Sequence, residues 1–130
     1  MIFCAVGLVP IALGYGARPA DSLDALFDIA VDTINLTHIM RAIMGLYFGM
    51  VVIWVWGAFD KRLTTPALVS CAVFMLGLAA GRILSFILDG MPHWLLVVYA
   101  VLEVLLGLLA VTIYRQKTSH YDPSGLRDGN

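Results

Sequence analysis

Long uncharged stretches alternate with short charged ones along this chain of 130 residues. Residues 42–59 and 63–81 contain no charged side chain, and residues 90–114 contain a single one, Glu103. A helix rises about 1.5 Å per residue, so roughly 20 apolar residues cross the hydrocarbon core of a bilayer. The pattern predicts membrane-spanning helices over residues 38–59, 64–88 and 93–114.

The first apolar stretch, residues 1–16, is shorter and contains Pro10. As a helix it is about 24 Å long, and it lacks the Lys or Arg residues that open a secretory signal. We therefore predict a short, retained first span.

Residues 17–37 carry acidic side chains at helical spacing and apolar side chains on the opposite face. The acidic positions are Asp21, Asp24, Asp28 and Asp32. This pattern favours an amphipathic helix at the membrane surface over a calcium or ligand site. Because no Gly or Pro lies between Ala20 and Met44, we expect this helix to run on into the next span.

The amino-acid composition also indicates that lipid rather than water surrounds most of the chain. The chain is 61% hydrophobic and 13% charged, whereas soluble domains are about half apolar and about one quarter charged. The net charge of −1 offers no basic surface for nucleic acid. The predicted fold is an all-α, integral membrane four-helix bundle with a short interfacial helix after the first span.

Basic residues flank the spans on one side. Lys61 and Arg62 follow the second span, and Arg115 and Lys117 follow the fourth, two crossings later. Basic residues are enriched in cytoplasmic loops, so both termini are predicted to be cytoplasmic. Residues 115–130 are then a polar cytoplasmic tail.

Three ionisable residues lie within the apolar runs: Arg41, Arg82 and Glu103. From the helical rise they lie roughly 5, 10 and 15 Å below the outer membrane edge. A charge in hydrocarbon costs a few kcal/mol, so such residues usually face a bundle interior and pair. We expect an intramembrane polar cluster that acts as a structural clamp, as a site open to the outer side for an anion, lipid headgroup or small polar ligand, or as a proton relay through Glu103.

Two pairs of glycines recur at the spacing used in helix contacts: Gly45 with Gly49, and Gly77 with Gly81. Small residues four apart let membrane helices approach closely. They predict close packing of the second and third spans, with Arg41 and Arg82 turned toward one interior.

Signatures of catalysis and of metal binding are not found in the sequence. It contains no phosphate-binding glycine loop and no HExxH motif. His38 and His93 are expected at the ends of spans, and Cys4 and Cys71 as small buried side chains. We predict a protein that is not an enzyme, with no metal and no cofactor.

Residues 35–49 (NLTHIMRAIMGLYFG), residues 77–90 (GLAAGRILSFILDG) and the later Glu103 resemble a bacterial family, domain of unknown function 4345. The resemblance covers residues 35–115 and implies a small four-helix protein of the bacterial inner membrane with the same charged positions. It implies no activity. The leading functional hypothesis is an accessory or scaffolding subunit of a larger membrane complex, because so little of the chain lies outside the bilayer. The alternative is a binding or transport module for a small anionic or lipid-like ligand at Arg41, Arg82 and Glu103.

Overall fold

The computed structural model describes residues 1–119, and within them every regular element is a helix. The five helices are α1 (Ile2–Gly16), α2 (Pro19–Phe27), α3 (Ile34–Phe59), α4 (Thr64–Leu88) and α5 (Trp94–Ser119). The predicted all-α class is confirmed. Of the predicted tail, residues 115–119 continue α5, and residues 120–130 lie outside the described part.

Three of these helices, α3, α4 and α5, are long and apolar enough to cross a membrane. Helices α1 and α2 meet at a bend of 110° and make a fourth candidate only if the bent pair counts as one span. Alone, the 15 residues of α1 are about 22 Å long, shorter than the hydrocarbon core. Three helices long and apolar enough to cross a bilayer indicate a membrane protein.

The segment after α1 is interrupted where a continuous helix was expected. Pro19 occupies the first turn of α2, a position that suits proline because its missing N–H has no partner there. The helix ends at Asp28, whose φ of 59° is left-handed, and the N–H of Ile29 donates to the Leu23 carbonyl at 3.2 Å. Thr33 then caps α3 by accepting from the N–H of Leu36 at 3.2 Å. Helix α2 consequently does not run on into the next span.

Helices α1, α3, α4 and α5 pack side by side in that order. Between α3 and α4, the fully buried Trp54 donates from Nε1 to the Ser70 hydroxyl at 3.2 Å and meets the Phe74 ring edge-on at 5.5 Å. Gly57 lies where an added Cβ would collide with Ala67 on α4. Helices α3 and α4 are therefore in close backbone contact near the end of α3.

The glycine pairs that were predicted to pack are instead exposed. A Cβ added at Gly45, Gly49, Gly77 or Gly81 would meet nothing within 4 Å. Gly45 and Gly49 each lie two residues from buried Tyr47, and two residues turn a helix by about 200°. The pairs thus face away from the core, and the glycines in tight contact are Gly16, Gly57 and Gly107.

Candidate functional site: a cleft between α1 and α5

An ion pair joins α4 to α5 inside the bundle. Nε of Arg82 donates to both carboxylate oxygens of Glu103, at 3.0 Å and 2.9 Å. Glu103 shares a helix face with buried Ala100 and Ala110, which lie three and seven residues away, and only 8% of the residue is exposed. Helical spacing therefore directs the carboxylate inward, where a charged partner is needed to offset its desolvation.

Several aromatic rings lie near the pair. The Arg82 guanidinium carbon lies 5.8 Å from the centre of the Tyr99 ring, within range of a cation–π contact. Tyr15 of α1 meets Tyr47 of α3 edge-on at 5.9 Å, and Phe27 of α2 meets Tyr99 at 6.5 Å. Rings from four helices thus lie in this part of the bundle, and Tyr99 contacts the pair directly.

A cleft of about 470 Å³ separates α1 from α5, and Arg82 and Glu103 line it. This α1–α5 cleft has a floor formed by α3 and α4, including Tyr47, Met75 and Leu78, and Leu26 and Phe27 of α2 line it as well. Arg82 and Glu103 are the charged members of the lining. The cleft is thus an apolar space with a charged pair in its wall.

Polar and apolar residues line different ends of this cleft. Tyr15, near the end of α1, lies with Arg82 and Tyr99, and we call this the α2 end because the short helix α2 adjoins it. Phe3 and Cys4, at the start of α1, line the opposite, apolar end. Cys4 and Tyr15 are eleven residues apart, so the cleft runs for about 16 Å along α1.

Comparison with known proteins places the chain in a family. Residues 1–114 match the model described as Domain of unknown function (DUF4345). The chain belongs to the DUF4345 family. The match takes in α1 and α2, so both walls of the α1–α5 cleft lie within the DUF4345 domain. Neither the curated proteins nor the solved structures gave a match.

The DUF4345 fold brings together two of the three charged residues singled out in the sequence. Arg82 and Glu103 pair, whereas Arg41 is exposed on α3. Arg41 lies six residues before buried Tyr47 and thirteen before buried Trp54, which places it about 120–140° around the helix from them. The site therefore contains one arginine and one glutamate, whose charges balance.

The remaining candidates lie apart from the pair. His38 is exposed, and His93 meets the Phe27 ring edge-on at 6.1 Å. Cys4 and Cys71 are free thiols buried in one core cluster. Across residues 1–119, no three His, Cys, Asp or Glu side chains come together in a group that would hold a metal ion.

Sequence reasoning missed the tyrosines and the contribution of α1. Tyr99 lies four residues before Glu103, so the two share a helix face, and this spacing was visible in the sequence. Tyr15 and Tyr47 carried no such signal, because their meeting depends on how α1 crosses α3. The cleft itself depends on the separation of α1 from α5, which a pattern of apolar residues does not encode.

Proposed function

We propose that this DUF4345 protein binds a lipid-like amphiphile in the α1–α5 cleft. The ligand's apolar body lies along α1 and its polar head lies beside Arg82 and Glu103. The observation that carries the proposal is the cleft of about 470 Å³, apolar at one end and bearing a part-buried ion pair and tyrosines at the other. Small-molecule sites in proteins are typically of this size, and their mostly apolar lining contains only a few polar groups.

A lipid-like ligand fits the lining better than a small free anion does. The charge of Arg82 is already balanced by Glu103 at 2.9 Å, so an anion would find no net positive charge beside it. An apolar wall such as that formed by Ile11, Leu78 and Leu106 packs against a hydrocarbon chain by van der Waals contact, which a small free anion cannot supply.

The side of the cleft is open between the helices. Phe3 on α1 is 74% exposed and Leu102 on α5 is 45% exposed, and both line the cleft. If α3, α4 and α5 span the bilayer, these edges face acyl chains, and a ligand enters from the membrane without crossing water. A purely structural clamp would not require an open cleft of this kind along α1.

The accessory-subunit role stays a prediction, supported by the small mass outside the spans. Cytoplasmic termini and an inner-membrane location stay predictions as well, supported by the basic residues after α3 and within α5. The lack of an enzymatic role also remains an expectation from the sequence.

Filling the cleft tests the proposal. Gly7 lines the cleft, and a Cβ built on it meets nothing within 4 Å, so Gly7→Leu adds bulk with little strain on the helix packing. Gly45→Leu is the matched control, because Gly45 has equally open surroundings outside the cleft. Each protein is purified in mild detergent, and its retained lipids are extracted and quantified by mass spectrometry.

The expected result is an amphiphile retained by the native protein and by Gly45→Leu but lost from Gly7→Leu. Identical lipid content in all three proteins, with Gly7→Leu folded, would overturn the proposal.

A further inference from the structure

We infer that the ligand is a single-chain amphiphile with an uncharged head that carries a hydroxyl or carbonyl oxygen. This inference rests on the proposed function and narrows the chemical class of its ligand. Three observations lead to it: the charge balance of the cleft, the hydrogen-bonding groups in its wall and its shape.

The first observation is that the charges in the cleft lining balance. Arg82 and Glu103 are the charged groups among the lining residues, and they neutralise each other. A phosphate or ammonium head would bring an uncompensated charge into a site where burial is costly. Arg41, the other arginine in the apolar runs, is exposed on α3 and is not part of the lining. An uncharged head avoids this cost.

The hydrogen-bonding groups of the cleft determine which atoms the ligand's head must contain. A guanidinium has five N–H bonds, and both hydrogen bonds to Glu103 come from Nε. The four N–H bonds on the terminal nitrogens are therefore not used by the carboxylate. Tyr15 and Tyr99 add hydroxyls to the lining, and a hydroxyl both donates and accepts. A head with a hydroxyl or carbonyl oxygen matches these groups.

The shape of the cleft favours a ligand with a single hydrocarbon chain. The cleft runs for about 16 Å along α1, and its volume of about 470 Å³ is in the lower half of the range of small-molecule sites. Phe27 and Leu26 line it from α2, beside the polar groups. An extended single chain fills such a space, with its head at the α2 end.

The test uses three amphiphiles with an 18-carbon monounsaturated chain. They are 1-monooleoylglycerol, which is neutral, its phosphate ester 1-oleoyl lysophosphatidic acid, which is anionic, and oleylamine, which is cationic. The native protein is held in phosphatidylcholine nanodiscs with tritiated 1-monooleoylglycerol, and unlabelled competitors are ranked by scintillation proximity. We expect the neutral amphiphile to compete at least about tenfold better than either charged one.

Two variants make the ranking specific to the charge balance. Glu103→Gln leaves Arg82 uncompensated and should shift preference about tenfold toward lysophosphatidic acid, whereas Arg82→Gln should shift it toward oleylamine. Opposite shifts are not expected from a loss of packing alone. If neither variant folds, the ranking on the native protein decides the matter.

The outcomes separate this inference from the proposed function. Binding that ranks lysophosphatidic acid or oleylamine first overturns the uncharged head and leaves the cleft as a binding site. No saturable binding of any of the three, together with equal lipid content in the native protein and Gly7→Leu, overturns both.

Discussion

Replacing Glu103 by Leu should destabilise the fold far more than replacing both members of the ion pair. The carboxylate accepts two hydrogen bonds from Arg82, at 2.9 Å and 3.0 Å, and the two side chains are only 18% and 11% exposed. Glu103→Leu leaves a guanidinium with no counter-charge beside it. The double variant Arg82→Met with Glu103→Leu removes the charge as well.

The magnitude follows from the setting of the charge. A lone arginine near the centre of a membrane helix costs about 3 kcal/mol on insertion scales, and breaking a buried pair costs a similar amount. We therefore expect Glu103→Leu to lower the free energy of unfolding by about 3 kcal/mol, or about 100-fold in the folding equilibrium. The double variant should lie within about 1 kcal/mol of the native protein, because apolar replacements of buried pairs are often neutral.

Unfolding by sodium dodecyl sulfate in mixed micelles, followed by tryptophan fluorescence, measures these differences. Arg41→Leu is the control, because it also removes an arginine from an apolar run, but one that is exposed. It should leave stability nearly unchanged. A cost below about 1 kcal/mol for Glu103→Leu would refute the view that the pair is held in a desolvated site.

Further predictions concern the contact between α3 and α4. Gly57→Ala places a Cβ against Ala67 and should cost about 1–3 kcal/mol by overpacking, whereas Gly49→Ala, which meets nothing within 4 Å, should be nearly neutral; equal effects in the same unfolding assay would contradict this packing. Trp54→Phe removes the hydrogen bond to Ser70 and leaves a void, for a cost of about 1–3 kcal/mol, and an unchanged midpoint would show that the indole is not held as described.

The sequence was most informative where burial in lipid sets the pattern. The uncharged runs that predicted spans at residues 64–88 and 93–114 correspond to helices Thr64–Leu88 and Trp94–Ser119. Helix α3 begins at Ile34, four residues before the predicted start of the span at His38, because Thr33 caps it there. Composition predicts that a segment crosses, and the exact ends depend on local hydrogen bonds.

The interruption after α2 was not predictable from the signals used. Asp28 adopts φ 59° and ends the helix, yet the segment holds no Gly or Pro to mark a break. Aspartate is one of the few residues other than glycine that enters the left-handed region without great cost. The tertiary contacts of Leu23, which is only 1% exposed, favour a short helix turned back onto the bundle.

The sequence placed two of the three charged residues of the candidate site correctly, and the reason is geometric. Depth along a helix can be read from residue counts, and it correctly placed Arg82 and Glu103 within reach of each other. Direction around a helix requires a reference to the buried face, and buried Tyr47 and Trp54 turn Arg41 outward. Without that reference, the sequence could not show that Gly45 and Gly49 also face outward.

Photocrosslinking shows whether a lipid-like chain lies in the α1–α5 cleft. A monoacylglycerol with a diazirine near the end of its acyl chain is incubated with the protein in phosphatidylcholine nanodiscs, illuminated, and mapped by peptide mass spectrometry. We expect labels at the apolar end of the cleft, on residues such as Phe3, Gly7 and Leu106, and we expect unlabelled 1-monooleoylglycerol to compete them away. Uncompeted labels spread over outward-facing side chains such as Val52 and Val73 would contradict the proposed binding.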